Sequence, residues 1–179
     1  MRGAEPGDAT DAESAFGSSE YAKEILGAVW GYPPELELEK EVGLQKALVE
    51  IAQIEIMNSA HDCSDGGIAV TLVESGLAKG IGMNVDLTSL GLPPEFVLFG
   101  EDASRVVVSC DRENFGRIQN VALKYGIAAE LIGETAPERI EIKLDGRVVV
   151  SATVSELREV YESALEKALR TEVETMAAD

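Results

Sequence analysis

Apolar side chains return at helical spacing between residues 36 and 57. Leu38, Val42, Leu48 or Val49, Ala52 and Ile56 form the strongest helical pattern in the chain. Pro33-Pro34 is the expected start of that helix, because proline suits the first helical turn. Before it, Ser18 or Ser19 can cap a helix running to about Val29, with Glu20 placed well for the helix dipole. After it comes a short strand over 59–64 and a polar, glycine-ended loop. Gly66-Gly67 then opens a third helix through Val70, Val73 and Leu77, ended near Gly80. The period shortens beyond that point. Gly82–Leu87 and Phe96–Phe99 read as strands, and the Val-rich run Arg105–Cys110 reads as a central one. Asn114–Tyr125 is an amphipathic helix stopped by Gly126. Ala128–Ile132 and Ile140–Leu144 are expected strands, and Asp145-Gly146 is a strong hairpin turn leading into Val148–Val150. Ser155 can cap a last helix over about Glu156–Leu169.

Strands and helices in this order, with a tight Asp-Gly hairpin, predict an α+β fold: a mixed β-sheet layered with helices. Residues 1–16 are small and acidic, so they read as a disordered tail. Residues 17–170 form the expected folded domain, and 171–179 the expected frayed end.

The net charge of −18 changes the picture of partners. Phosphate backbones and anionic membranes are held by Lys and Arg clusters, and no such cluster occurs, so neither nucleic acid nor a membrane surface is an expected partner. No apolar run approaches the ~20 residues of a membrane span. Two cysteines with no ligand spacing suit a reducing compartment, and the cytoplasm is expected.

Candidate chemistry concentrates in His61-Asp62-Cys63-Ser64-Asp65-Gly66-Gly67, which holds the only histidine of the chain. On a strand, alternation puts His61 and Cys63 on one face and Asp62 and Ser64 on the other. Asp62 and Ser64 then suit a Mg²⁺–phosphate ligand, with a hard carboxylate for the metal and a hydroxyl for a phosphate oxygen. Gly66 and Gly67 would bring backbone N–H groups to that phosphate. Asp65 suits a helix N-cap or an outer-shell Mg²⁺ role. The alternative is purely structural: Asp65 caps the helix and the glycines permit close packing. A Cys63–His61 nucleophile pair would need a lowered thiol pKa and an orienting group, and the sequence displays neither. Phe99 to Arg105 forms a polar corner, read either as a turn or as a second wall of the same site through Glu101 and Arg105.

Residues 59–70, Ser-Ala-His-Asp-Cys-Ser-Asp-Gly-Gly-Ile-Ala-Val, resemble the signature of the last domain of phosphoribosylformylglycinamidine synthase. That family comprises ATP-dependent amidotransferases of purine biosynthesis within the aminoimidazole ribonucleotide synthase superfamily. Gly17-Ser18-Ser19-Glu20-Tyr21 is similar to the family's Gly-Gly-Ser-Glu-Tyr helix start. Leu98-Phe99-Gly100-Glu101 with Ser104 to Ser109 is similar to its Phe-Gly-Glu-Ser-Gln-Ser-Arg-Val-Val-Val-Ser segment, and Ser155 to Glu159 to its last helix start. Two departures occur: Asp102-Ala103 replaces Ser-Gln, and Ser18 replaces the second glycine.

The resemblance implies the α+β fold above and a chain that is the last quarter of a longer subunit. The catalytic histidine, the active-site ATP residues and a Gly-Asn-Val-Ser segment would lie upstream, so this chain alone is expected to be inactive. The implied reaction converts formylglycinamide ribonucleotide, ATP and glutamine-derived ammonia to the amidine. The implied cofactors are Mg²⁺ at Asp62 and a structural ATP or ADP at Ser64, Asp65, Gly66 and Gly67. Implied partners are the N-terminal synthase domains and a glutaminase subunit or domain. An apolar docking face would also permit self-association. Other ATP-dependent members of the superfamily, of selenophosphate, thiamine-phosphate or hydrogenase-maturation type, differ at the motif. A stand-alone interaction domain is the alternative from another class.

Overall fold

The computed structural model describes residues 9–176, with side chains over 13–169. In chain order the elements are α1 (Ala9–Phe16), α2 (Glu20–Glu24), α3 (Leu38–Gln53), β1 (Ser59–Asp62) and α4 (Gly67–Leu77). These are followed by β2 (Gly82–Leu87), α5 (Pro94–Phe99), β3 (Val106–Ser109) and, after a short 3-10 turn, α6 (Phe115–Lys124). Last come β4 (Gly133–Ala136), β5 (Arg139–Leu144), β6 (Arg147–Thr153) and α7 (Val154–Met176). The mixture of layered helices and a mixed sheet is the α+β class expected. Two compact units share the chain: Met1–Ser75 with Thr88–Ile132, and Gly76–Leu87 with Gly133–Asp179.

An aromatic cluster organises one side of the first unit. Phe16 is only 4% exposed and stacks on Phe96 with ring centroids 4.3 Å apart, while Tyr21 stacks on Phe99 at 4.8 Å. The segment expected as a disordered tail is therefore helical from Ala9. Burying one aromatic ring offsets chain entropy that its small, polar neighbours cannot. Ser19 caps α2 as expected, accepting the Ala22 N–H. The helix stops at Glu24 and not near Val29, because Gly27 takes φ 67° and the chain doubles back until the Trp30 N–H reaches the Gly17 carbonyl at 3.0 Å. A Cβ on Gly17 would lie 2.5 Å from the Trp30 carbonyl, so only glycine fits there.

α3 begins at Leu38, later than Pro33-Pro34, with Glu37 extended at its N-cap. Prolines hold the residue before them extended, and the helix starts only where Glu39 and Glu41 fall in its first turn, favoured by the helix dipole. Its buried face is Gly43, Ala47 and Ile51, whereas Leu38 and Val49 of the expected stripe are 69% and 56% exposed. Close approach decides this: a Cβ on Gly43 would lie 2.6 Å from the Tyr125 carbonyl, so α3 presents its smallest side chains there. Ala47, Ile51 and Ile56 pack with Ile118 and Val121 of α6, whose amphipathic pattern the sequence displays openly.

Two further expectations change. Phe96–Phe99 lies in helix α5, since a four-residue apolar run has no period and Pro93-Pro94 opens a helix. The Arg105–Cys110 run supplies β3, which pairs only with β1 in a two-stranded antiparallel sheet. A Val-rich run marks a strand, not the number of its neighbours, and all four residues of β3 are half-buried.

The second unit holds a four-stranded sheet in the order β4-β2-β5-β6, with β2 parallel to β5 and the other pairs antiparallel. Met83, Val85, Leu87, Ile140, Ile142 and Leu144 bury one face by strict alternation. The Asp145-Gly146 turn forms as expected, with φ 50° and 76°, and the Asp86 carboxylate accepts the Gly146 N–H at 3.0 Å. The strand expected over 128–132 begins instead at Gly133, where a Cβ would lie 2.1 Å from the Asn84 carbonyl. Thr153, not Ser155, starts the last helix. Thr153 and Glu156 form a reciprocal capping box, with the Thr153 N–H on Glu156 Oε2 at 2.8 Å and the Glu156 N–H on Thr153 Oγ1 at 3.2 Å. α7 continues to Met176, into the stretch expected to fray. Among the described residues no helix is long and apolar enough to cross a membrane.

Candidate functional site at the end of strand β1

β1 runs antiparallel to β3 with Asp62 opposite Val106, and the ladder extends one step as the Cys63 N–H donates to the Arg105 carbonyl at 2.9 Å. Beyond it the chain turns into α4. The alternation is as expected: Asp62 and Ser64 are exposed, His61 and Cys63 half-buried. Asp62 has a side chain 76% exposed, with His61 Nδ1 3.9 Å from its Oδ1. Ser64 and Asp65 are exposed, and their side chains make no hydrogen bond among the described residues.

Several main-chain groups behind these side chains are engaged within the protein. The Asp62 carbonyl accepts the Thr71 hydroxyl at 3.2 Å. The Gly66 N–H donates to Glu101 Oε1 at 2.8 Å, and the Gly67 N–H to the Ser64 carbonyl at 3.0 Å. The two glycine N–H groups expected to meet a phosphate are thus already engaged. Asp65 makes no side-chain cap either, since no helical N–H donates to its carboxylate and Gly66 stands between it and α4. Both glycines are required for geometry, at φ 78° and 63°. A Cβ on Gly67 would lie 2.6 Å from the Gly100 carbonyl and 2.8 Å from that of Leu98.

The 99–105 corner lies against this turn. Glu101 Oε1 also accepts the Glu20 N–H at 2.9 Å, so one carboxylate oxygen joins the start of α2 to the Gly66 turn. Arg105 folds its guanidinium back on the corner, donating from Nε to the Asp102 carbonyl at 3.2 Å and from Nη2 to the Gly100 carbonyl. Ser104 is left-handed at φ 59°, and its hydroxyl donates to Glu41 Oε2 at 2.6 Å. Asp102 serves this corner through its carbonyl.

The Cys63–His61 pair does not assemble as nucleophile and base. Burial pushes the Cys63 thiol up, against the lowering effects of the Thr71 hydroxyl and Arg105, away from the thiolate that such chemistry needs. His61 instead places Nδ1 2.8 Å from the Asp62 carbonyl and Nε2 3.5 Å from Glu74 Oε2. Glu41, Thr71 and Glu74 all contribute to the corner and escape a reading of sequence. Thr71 offers a faint signal, as a helical Thr one turn after a glycine; Glu41 and Glu74 offer none.

Among the described residues no three His, Cys, Asp or Glu side chains gather in a metal-holding cluster. A lone exposed carboxylate such as Asp62 fits a Mg²⁺ that keeps its waters and nucleotide oxygens, and fits no all-protein cage.

The chain is similar to known proteins along most of its length. The family described as AIR synthase related protein, C-terminal domain, matches residues 7–145. Phosphoribosylformylglycinamidine synthase subunit PurL of Moorella thermoacetica is 34% identical over 150 residues, covering 84% of this chain and 20% of the relative. The same subunit of Thermobifida fusca is 38% identical over 151 residues, covering 84% and 19%. The chain thus spans about a fifth of the length of the curated relatives it matches. Phosphoribosylformylglycinamidine synthase II from Thermotoga maritima shares the fold, with a TM-score of 0.65 at 20% identity over 70% of this chain and 22% of that one. Thermotoga maritima PurL complexed with AMPPCP gives a TM-score of 0.60 at 20% identity over 65% and 21%. With a matched sequence spanning most of its length and the same fold, the chain belongs to the AIR synthase related C-terminal domain family.

Proposed function

We propose that this chain acts as the C-terminal domain of an ATP-dependent phosphoribosylformylglycinamidine synthase of purine biosynthesis, contributing one wall of a Mg²⁺–nucleotide site. The observation that carries the reading is the exposed Asp62–Ser64 pair, standing in front of a turn whose Gly66 N–H and Asp62 carbonyl are bonded within the protein. Such a corner is preorganised, with its free donors and acceptors facing outward. Asp62 supplies the single carboxylate to the metal, the Ser64 hydroxyl donates to a phosphate oxygen, and Asp65 accepts from metal-bound water. Gly66 and Gly67 shape the turn and make close approach feasible. Mg²⁺ would neutralise phosphate charge that the acidic chain otherwise repels. Thermotoga maritima PurL is described in complexes with ATP, ADP, AMPPCP and FGAR, which supports a nucleotide as the ligand class.

The chain is not self-sufficient on this reading. Its partners are the remaining synthase domains and a glutaminase subunit, supported by the described PurLQS assembly of Thermotoga maritima. Ile25, Leu26, Val29, Tyr32 and Leu36 are all exposed in the connection between α2 and α3, apolar surface suited to those domains or to a second copy. The cytoplasm is the matching compartment.

Calorimetry with Mg-ADP tests the site: weak binding is expected for the chain, and none for Asp62→Ala. Tight binding independent of Asp62 sinks the site, and turnover of formylglycinamide ribonucleotide by the chain alone sinks its dependence on other domains. Docking without any nucleotide binding would favour a stand-alone interaction domain.

A further inference from the structure

We propose that Glu101 is the positioning residue of the Asp62–Ser64 corner, acting as a clamp and not as a wall that touches the ligand. The inference rests on the nucleotide reading above for its ligand, and on geometry for the clamp. Glu101 Oε1 accepts two main-chain N–H groups, from Gly66 at 2.8 Å and from Glu20 at 2.9 Å, which lie far apart in sequence. A ligand-facing carboxylate would keep that oxygen open. Hydrogen bonds to an ionised acceptor are about twice as strong as neutral ones, and here two converge on one atom.

The corner carrying Glu101 is itself braced from both sides. Arg105 closes the loop on the Gly100 and Asp102 carbonyls, and Glu41 holds Ser104 in a left-handed conformation at φ 59°. A serine persists there only where its surroundings over-determine it. The bracing ends at Gly66, directly behind side chains that are exposed and have no packing role. Rigidity delivered to an exposed corner lowers the ordering cost of binding. The same oxygen links the turn to the start of α2, so loosening one end releases the other.

The test uses the whole chain, with amide exchange at Gly66 and Glu20 read beside Mg-ADP affinity. In Glu101→Gln, exchange at both amides is expected to quicken about tenfold and affinity to fall about tenfold, the size of one charge-assisted hydrogen bond. The Cys63 amide, bonded to the Arg105 carbonyl, should keep its protection. Glu50→Gln, which breaks a remote contact to Lys124 and Tyr125, should leave affinity and both amides unchanged. Wild-type affinity in Glu101→Gln with both amides released would overturn positioning; unchanged protection of both would overturn the clamp. If the wild-type chain binds no Mg-ADP, the nucleotide reading fails by itself and the amides still decide the clamp. Glu101→Asp, charged but one methylene short of spanning both N–H groups, gives the same comparison should Glu101→Gln not fold.

Discussion

Replacing Gly67 by alanine isolates what the glycine pair of the motif does. Gly67 is buried at φ 63°, and its new Cβ would meet the Gly100 carbonyl at 2.6 Å, the Leu98 carbonyl at 2.8 Å and the Phe99 carbonyl carbon at 2.8 Å. All three are backbone atoms, so no side chain can swing aside. Gly91 is the internal control: at φ 82° it has the same handedness, but nothing lies within 4 Å of its Cβ position. Left-handed backbone costs a non-glycine residue about 1–2 kcal/mol, offset by about 0.4–1 kcal/mol from the stiffer unfolded chain. Gly91→Ala should therefore lose about 1 kcal/mol. Gly67→Ala adds an overpacking cost of about 1–3 kcal/mol, for a total of about 2–4 kcal/mol. At about 2–4 °C per kcal/mol for a chain of this size, the Gly67→Ala midpoint should fall by several degrees more than that of Gly91→Ala. Thermal and urea unfolding followed by circular dichroism measure both. Equal losses in the two variants would refute the close approach of α4 to the 98–100 backbone, leaving only the turn conformation to explain the glycine.

Phe16→Ala should cost about 3–5 kcal/mol in urea unfolding, as for other buried aromatics; a loss under about 1 kcal/mol would return residues 9–16 to the status of a tail. Thr153→Ala removes the capping box and should cost about 1 kcal/mol, with Ser155→Ala costing less; the reverse order would restore Ser155 as the cap. Acid should act through Glu50, whose carboxyl is held below its ordinary value by hydrogen bonds from Lys124 and Tyr125. A folded-state pKa below the unfolded one adds stability that is complete above the unfolded value and lost as pH falls through the folded one. The stability gap between wild type and Glu50→Gln should thus hold steady from neutral pH to the ordinary carboxylate range and close below it. Relief of repulsion at net charge −18 is common to both proteins, so a gap that widens on acidification refutes the pairing.

Local signals are legible wherever one residue's own chemistry decides a conformation. Asp145-Gly146 turns because both positions take positive φ, Ser19 caps because its hydroxyl reaches an N–H three residues on, and β2 alternates because one face is buried. Strand alternation likewise separates Asp62 and Ser64 from His61 and Cys63, since successive side chains take opposite faces. Short apolar runs fail by the same standard. Phe96–Phe99 and residues 128–132 have no period, so their neighbours settle whether they coil, pair or stay irregular.

What stands behind the motif is a matter of distant contacts. Nothing local distinguishes the glycine N–H groups as phosphate donors from the same groups engaged within the protein; Glu101, 35 residues on, takes one of them. Nor does periodicity reveal that α3 turns Gly43 and Ala47 inward and leaves Leu38 and Val49 out, because the Tyr125 carbonyl sets that approach from a distant segment. Residue order is enough to specify the chemistry available at this corner and the class of fold that bears it. Which groups face a ligand and which hold the corner in place depends on contacts between residues far apart in the chain, and a hydrogen-bond donor engaged by such a contact is no longer open to a ligand.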